Sequence, residues 1–294
     1  MNPDRRLQKF LGFWELKTSK FYKAVAAEFV GTAILMVSGI GAYTTIGEGV
    51  PVHPLVSAVC FGMTVAMVIW TFNHVSGAHI NPSVTWSFMI TGHISLVKSI
   101  AFVLVQCAGS IAGCAIVWYM VPEKWRGQMG STVFAEGLTV GQGFAIELIA
   151  TFILVLGVFA SSDQNRTDHG GSMPLTVGLI VFMQSAWAGR PTGCSMNPIR
   201  TLGPAVVADV WDHHWLYWVA PTVGGSLGAL FYQYILAEKP VGSGAECALL
   251  RLCGSRTGSA DFTSPTVTLA KDTSEKGFIG YKEPLKRDSV ILYT

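Results

Sequence analysis

The chain has 294 residues; half are hydrophobic, only 13% are charged, and the formal net charge is +2. A soluble domain carries about a quarter charged residues, so an ordinary soluble globule is excluded, and the near-neutral balance excludes a nucleic-acid partner held by a basic surface. Six cysteines form no C-x-x-C pair, so no metal site and no cofactor is expected.

The apolar residues fall in blocks of about 20, the length a helix needs to cross a bilayer. Residues 1–22 are polar and basic, with Arg5, Arg6, Lys9, Lys17 and Lys20 against Asp4 and Glu15, so they carry no cleavable signal and should stay in the cytoplasm. A first span is predicted over residues 24–43, with Glu28 as its one charge, followed by an outer loop containing Glu48. A second span covers residues 54–73. After a cytoplasmic turn with Gly92, His93 and Lys98, a third runs over residues 100–119. Residues 121–141 form an external loop. The fourth span, 143–161, carries Glu147, and the turn after it holds the sequon Asn165-Arg166-Thr167, which would face the cytoplasm unused. The fifth and sixth spans cover residues 173–188 and 216–236. Residues 238–294 are rich in Ser, Thr, Gly and charge and read as a disordered cytoplasmic tail. It contains Cys247 and Cys253, which need no disulfide there, and a basophilic kinase pattern at Lys286-Arg287-Asp288-Ser289.

Two stretches break the spans. After the second comes Ser76-Gly77-Ala78-His79-Ile80-Asn81-Pro82-Ser83, and after the fifth Thr192-Gly193-Cys194-Ser195-Met196-Asn197-Pro198-Ile199-Arg200. Proline is tolerated in the first turn of a helix, and asparagine is a natural N-cap. Each stretch therefore reads as a loop entering a half-helix, to about Met89 and about Ala208. With three spans per half, the second half (residues 142–237) is inverted relative to the first (23–120). Glu28 precedes Asn81 by 53 residues and Glu147 precedes Asn197 by 50, and Gln106-Cys107-Ala108-Gly109 matches Pro221-Thr222-Val223-Gly224-Gly225. A ten-residue half-helix rises about 15 Å, so two of them meet at the midplane. Inverted repeats with broken helices mark a substrate path.

Non-helical backbone at membrane depth must be buried or line a watery cavity. The carbonyls of Gly77, Ala78, His79 and Ile80, and of Gly193, Cys194, Ser195 and Met196, then form a ladder of acceptors, with the Asn81 and Asn197 amides as central donors. A permeant has to donate and accept in turn, as water and small polyols do. Facing helix N-termini put partial positive charge at the centre, which opposes cations and a proton wire.

On these motifs the chain resembles the aquaporins of the major intrinsic protein family, over residues 23–237. The resemblance implies an all-α membrane protein: six transmembrane helices plus two re-entrant half-helices in an inverted repeat, assembled as a homotetramer with one pore per subunit. It implies a passive channel in the lipid bilayer, by default the plasma membrane, with both termini cytoplasmic. Both motifs depart from the family's Asn-Pro-Ala, as Asn81-Pro82-Ser83 and Asn197-Pro198-Ile199; serine keeps the turn, whereas the bulkier isoleucine could press on the pore wall or repack the half-helices. The family's filter positions fall on Phe61, Ser185, Cys194 and Arg200. Cys194 resembles the pore cysteine that makes many members mercury-sensitive. Water-selective members carry histidine where Ser185 stands, so the opening should widen toward glycerol or urea unless a neighbour such as Trp187 fills the space. Thr201, Ala205 and Tyr217-Trp218 instead match the water-channel pattern. Glu28 and Glu147 are implied to accept from the backbone of their half's loop. His79 or His93 as a pH gate, and a metal site at His213, His214 and Asp212, are weaker readings. Two rivals come from other classes. An intramembrane enzyme would use Ser83 or Ser195, though no histidine pairs with either in the sequence; a structural or adhesive protein would keep its pore closed.

Overall fold

The computed structural model describes residues 3–44, 53–166, 168 and 171–237. The loop with Glu48, the sequon's Thr167 and the whole of 238–294, with Cys247, Cys253 and the kinase pattern, lie outside the described residues.

All regular structure among the described residues is helical. In chain order it comprises α1 (Pro3–Leu11), a 3-10 turn (Phe13–Lys17), α2 (Ser19–Thr44), α3 (Pro54–Ser76), α4 (Pro82–Ile90), α5 (Leu96–Met120), α6 (Glu123–Arg126), α7 (Val140–Ser162), α8 (Met173–Thr192), α9 (Pro198–Ala208) and α10 (Leu216–Phe231). A π turn, Tyr232–Leu236, follows α10. Helices α2, α3, α5 and α7 are long and apolar enough to cross a membrane by themselves. The other two spans are less regular: α8 carries Arg190 and Pro191 in its last turn, and α10 needs the π turn to lengthen its 16 residues.

Caps set the boundaries that hydropathy blurs. The Ser95 hydroxyl accepts from Lys98 N at 3.2 Å, so α5 starts early and Lys98 belongs to the helix rather than to the turn before it. Thr139 and Gln142 close a capping box at the start of α7. α8 runs on to Thr192, four residues past its predicted end, because proline in a final turn removes only one ladder bond.

The two halves pack by the same rule. α2 lies on α5 as α7 lies on α10, and α3 crosses α8. The half-helices trade sides: α4 packs on α10 of the other half, and α9 on α5. Small-xxx-small pairs allow these approaches. A Cβ on Gly113 would lie 2.6 Å from the Ala33 carbonyl, and one on Gly228 would lie 2.6 Å from the Phe152 carbonyl. Between the halves, Gly62 and Gly178 face each other, and a Cβ on Gly62 would lie 2.6 Å from the Gly178 oxygen. Gly62→Ala should therefore force α3 and α8 apart and destabilise the protein by about 1–3 kcal/mol. Gly41, with nothing within 4 Å of its added Cβ, is the matched control. The check is the thermal midpoint of each variant in detergent; equal midpoints would show that the crossing is not tight.

Candidate functional site

The site is built by two loops of matching backbone. Gly77 ends α3 with φ 99, and Ala78 and Ile80 follow with φ 46 and 42. Gly193 ends α8 with φ 82, and Cys194 and Met196 follow with φ 45 and 52. Left-handed backbone at a non-glycine residue costs about 1–3 kcal/mol and persists only where the surroundings enforce it. Here it makes successive N–H groups converge into a concave nest for an anion. The anion is a buried carboxylate from the same half.

Glu28 receives the N–H of His79 at 2.8 Å and of Ile80 at 2.7 Å, the Ser76 hydroxyl at 2.7 Å and the Gln106 amide at 2.8 Å. Glu147 receives the N–H of Ser195 and of Met196, both at 2.9 Å, and the Thr192 hydroxyl at 2.6 Å. Both acids are 0% exposed. Since the N–H groups turn toward the acids, the carbonyls turn the other way.

Asn81 and Asn197 each hold two places. As N-caps, their side-chain oxygens accept from Ser83 N at 2.8 Å and Ile199 N at 3.2 Å. Their amide nitrogens cross between halves: Asn81 Nδ2 donates to the Met196 carbonyl, and Asn197 Nδ2 to the Ile80 carbonyl, both at 2.9 Å. The sequence expectation of one amide N–H from each asparagine at the centre did not include this second role. One N–H of each amide clasps the opposite loop, and its second N–H is left for the cavity that both residues line.

That cavity has a volume of about 940 Å³. It reaches from Phe61 and Arg200, past Ile80, Asn81, Met196 and Asn197, to His93, Asp163 and Tyr232. Val65, Ile69, Leu154, Val158 and Val181 give it an apolar wall, and polar Thr91, Ser161, Ser162, Gln164 and Gln233 join at the His93 end. Gly77, Ala78 and His79 line it from the first loop, but only Ser195 joins Met196 from the second. Gly193 instead sits against Thr132, where a Cβ would lie 2.8 Å from the Thr132 Cα.

The four positions that the resemblance assigned to the filter divide. Arg200 is 3% exposed; its guanidinium carbon stands 4.8 Å from the Phe61 ring centre and 5.4 Å from that of Tyr43, and Nη1 donates to the Gly130 carbonyl at 2.6 Å. Ser185 and Cys194 are not among the cavity's lining residues. Trp187 is 46% exposed, and its indole N–H donates to Gln184 at 2.7 Å. Ile199 is 0% exposed in the apolar core and is not part of the cavity lining. Ser83 and Pro82 are likewise buried within α4, and Pro198 within α9.

Sequence reasoning missed Tyr43, Gly130 and Thr132. The Thr132 and Thr201 hydroxyls bond at 2.8 Å; Thr201 donates to Ser195 Oγ at 2.8 Å, which donates to the Asn197 carbonyl at 2.7 Å. This chain ties the loop 121–141 to the base of α9. No motif announces it, since the partners lie far apart in sequence.

The histidines have separate duties. His79 is buried, with Nδ1 3.2 Å from the Thr85 hydroxyl and its ring against Phe88 and Phe102. His93, in the turn before α5, is held below its ordinary pKa by burial, with Asp163 opposing. His213 stacks on Phe134, and His214 accepts from the Trp218 indole at 3.0 Å. Among the described residues no cluster could hold a metal ion. Ser195 Oγ is engaged by Thr201 and Asn197, and no histidine bonds it or Ser83 among the described residues.

Residues 15–232 match the family model of the major intrinsic proteins. Aquaporin-4 of Mus musculus is 41% identical over 229 residues, 77% of this chain and 70% of its own. The lens fiber major intrinsic protein of Lithobates pipiens is 36% identical over 238 residues, 81% of this chain and 90% of its own. In three dimensions the chain is similar to the aquaglyceroporin from Plasmodium falciparum, with a TM-score of 0.67 and 25% identity over 79% of this chain and 99% of that one. Half-helices, crossed asparagines, a long cavity between them and these relatives lead to one conclusion: the chain is a membrane-integral member of the major intrinsic protein family, a channel of the aquaporin kind and not an enzyme.

Proposed function

We propose that the chain is a passive water channel whose filter, relaxed at Ser185, also passes small neutral solutes such as glycerol or urea while excluding ions and protons. The observation that carries this reading is the cavity of about 940 Å³ that joins Arg200 to His93 past both asparagine amides. Its polar stripe offers one donor pair at Asn81 and Asn197 among carbonyl acceptors, which suits a solute that both donates and accepts. Phe61, Ser185, Cys194 and Arg200 form the filter, and Glu28 and Glu147 hold the loops. The small Ser185 side chain, in place of an imidazole, and the outward exposure of Trp187 support a wider opening there. An aquaglyceroporin among the structural neighbours supports a solute range beyond water. By resemblance the channel is a homotetramer of the plasma membrane, with both termini and the His93 mouth on the cytoplasmic side. A strictly water-selective channel is the second reading, favoured by Thr201, Ala205 and Tyr217 and by the likeness to aquaporin-4.

The test is stopped-flow flux through liposomes holding the purified protein, in water, glycerol and urea gradients, beside Ser185→His. The imidazole should lower glycerol flux by about tenfold to a hundredfold, the usual scale for a steric misfit in a fitted site, and leave water flux near wild type. Water flux without glycerol flux in the wild type would establish the strict reading. No flux of any solute would overturn the open channel and favour a structural or adhesive role.

A further inference from the structure

We propose that residues 3–23 are a membrane-surface arm that binds anionic phospholipid headgroups of the leaflet beside the His93 mouth. The channel reading gives this stretch no work, yet its chemistry is distinctive. In α1, Leu7, Phe10 and Leu11 share one face, while Lys9 falls on another. The 3-10 turn adds Phe13 and Trp14, and α2 opens with Lys20, Tyr22 and Lys23. Leu7 is 57% exposed, Phe10 45%, and Phe13 and Trp14 62% each. Lys9, Lys17, Lys20 and Lys23 are exposed along the same stretch, and Glu15 is half-buried. Exposed aromatic surface interleaved with lysines calls for a partner with an apolar layer under an anionic one. A phospholipid leaflet supplies both layers.

Continuity brings that leaflet to the arm. The stretch runs without a break into α2, a helix long and apolar enough to cross the membrane. The arm is also held in place. Gly12, with φ +76, closes the end of α1 by donating to the Gln8 carbonyl at 3.0 Å, and its Cα packs so closely on Ser95 that any Cβ would collide. Ser95 is the N-cap of α5, two residues from His93 in the turn at the cavity's end. The Thr18 hydroxyl donates to the Glu15 carbonyl at 2.7 Å, turning the chain into α2. The arm is therefore anchored at one buried glycine, with its lysines and rings left outward on the membrane side of the mouth.

The test uses the full chain in detergent micelles supplied with equal phosphatidylcholine and phosphatidylserine, with retained lipids counted by native mass spectrometry. The wild type should retain phosphatidylserine in preference. The triple variant Lys9→Gln, Lys17→Gln, Lys20→Gln should lose the preference by about tenfold or more, since each basic residue near an anionic surface is worth about fivefold. The triple lysine-to-arginine variant should keep it, as should Arg190→Gln, an exposed cation at the far end of α8. Water flux of the glutamine triple in liposomes reports that it is folded. Equal retention of both lipids by the wild type, or an unchanged preference in the folded glutamine triple, would overturn the proposal. Displacement of the lipid by soluble glycerophosphoserine would overturn it too, by showing an ion site that needs no leaflet.

Discussion

Glu28→Ala should abolish the folded channel. The substitution strips an acceptor from the N–H groups of His79 and Ile80 and from the Gln106 amide, all buried. A buried donor left unmatched costs about 1–3 kcal/mol, so the three together cost about 3–9 kcal/mol. That rivals the whole stability of a typical domain, about 5–15 kcal/mol. The strained φ values of Ala78 and Ile80 would also lose what enforces them. Glu28→Gln should fall between: the amide oxygen serves one backbone N–H, and its NH2 confronts the other, for a loss of about 1–3 kcal/mol. Thermal unfolding in detergent and water flux in liposomes should rank wild type above the glutamine variant and that above alanine. An alanine variant that melts with the wild type would show that the nest does not depend on its carboxylate.

Arg200→Ala should leave water moving and let cations through. Arg200 puts a fixed charge on the cavity wall, held by the Gly130 carbonyl at 2.6 Å and two ring faces. A unit charge repels a cation about 5 Å away by about 3 kcal/mol at an effective dielectric constant near 20. Removing it should raise cation passage by about a hundredfold. The vacated space beside Phe61 should also raise glycerol flux. Arg200→Lys keeps the charge without the planar fork and should preserve exclusion better than alanine. Ion-sensitive dyes inside the liposomes read the result, and an alanine variant as ion-tight as the wild type would assign exclusion to the midplane instead.

Local features of the chain were legible in its residues, and long-range ones were not. Asn81 caps its own helix through a bond to Ser83, two residues on, so the Asn-Pro pair alone reveals a half-helix. Apolar blocks of span length and the repeated motif carry the all-α inverted fold in the same way. Helix ends drifted because they depend on single caps: Ser95 draws Lys98 into α5, and the late proline of α8 lets that helix run to Thr192. The clasp between Asn81 and the Met196 carbonyl joins residues 115 apart, and no periodicity encodes such a bond. Gly130 and Thr132 sit in a loop without a pattern and reach the site only through its path over Arg200 and Thr201. Ile199 left two readings open, pressing on the pore wall or repacking the half-helices, because its size is visible in sequence and its direction is not; it packs into the core.

The crossed amides have a further consequence for how the molecule is made. Each half secures the other half's loop, and each half-helix rests on the other half's last span. The conduit is therefore also the seam: the molecule is an internal dimer, and the path runs between its two lobes, across the in-plane two-fold axis of the inverted repeat, instead of through either lobe. Neither lobe alone encloses a passage. A substitution on that seam acts on permeation and assembly together, so selectivity here can drift only as far as the two lobes still recognise each other.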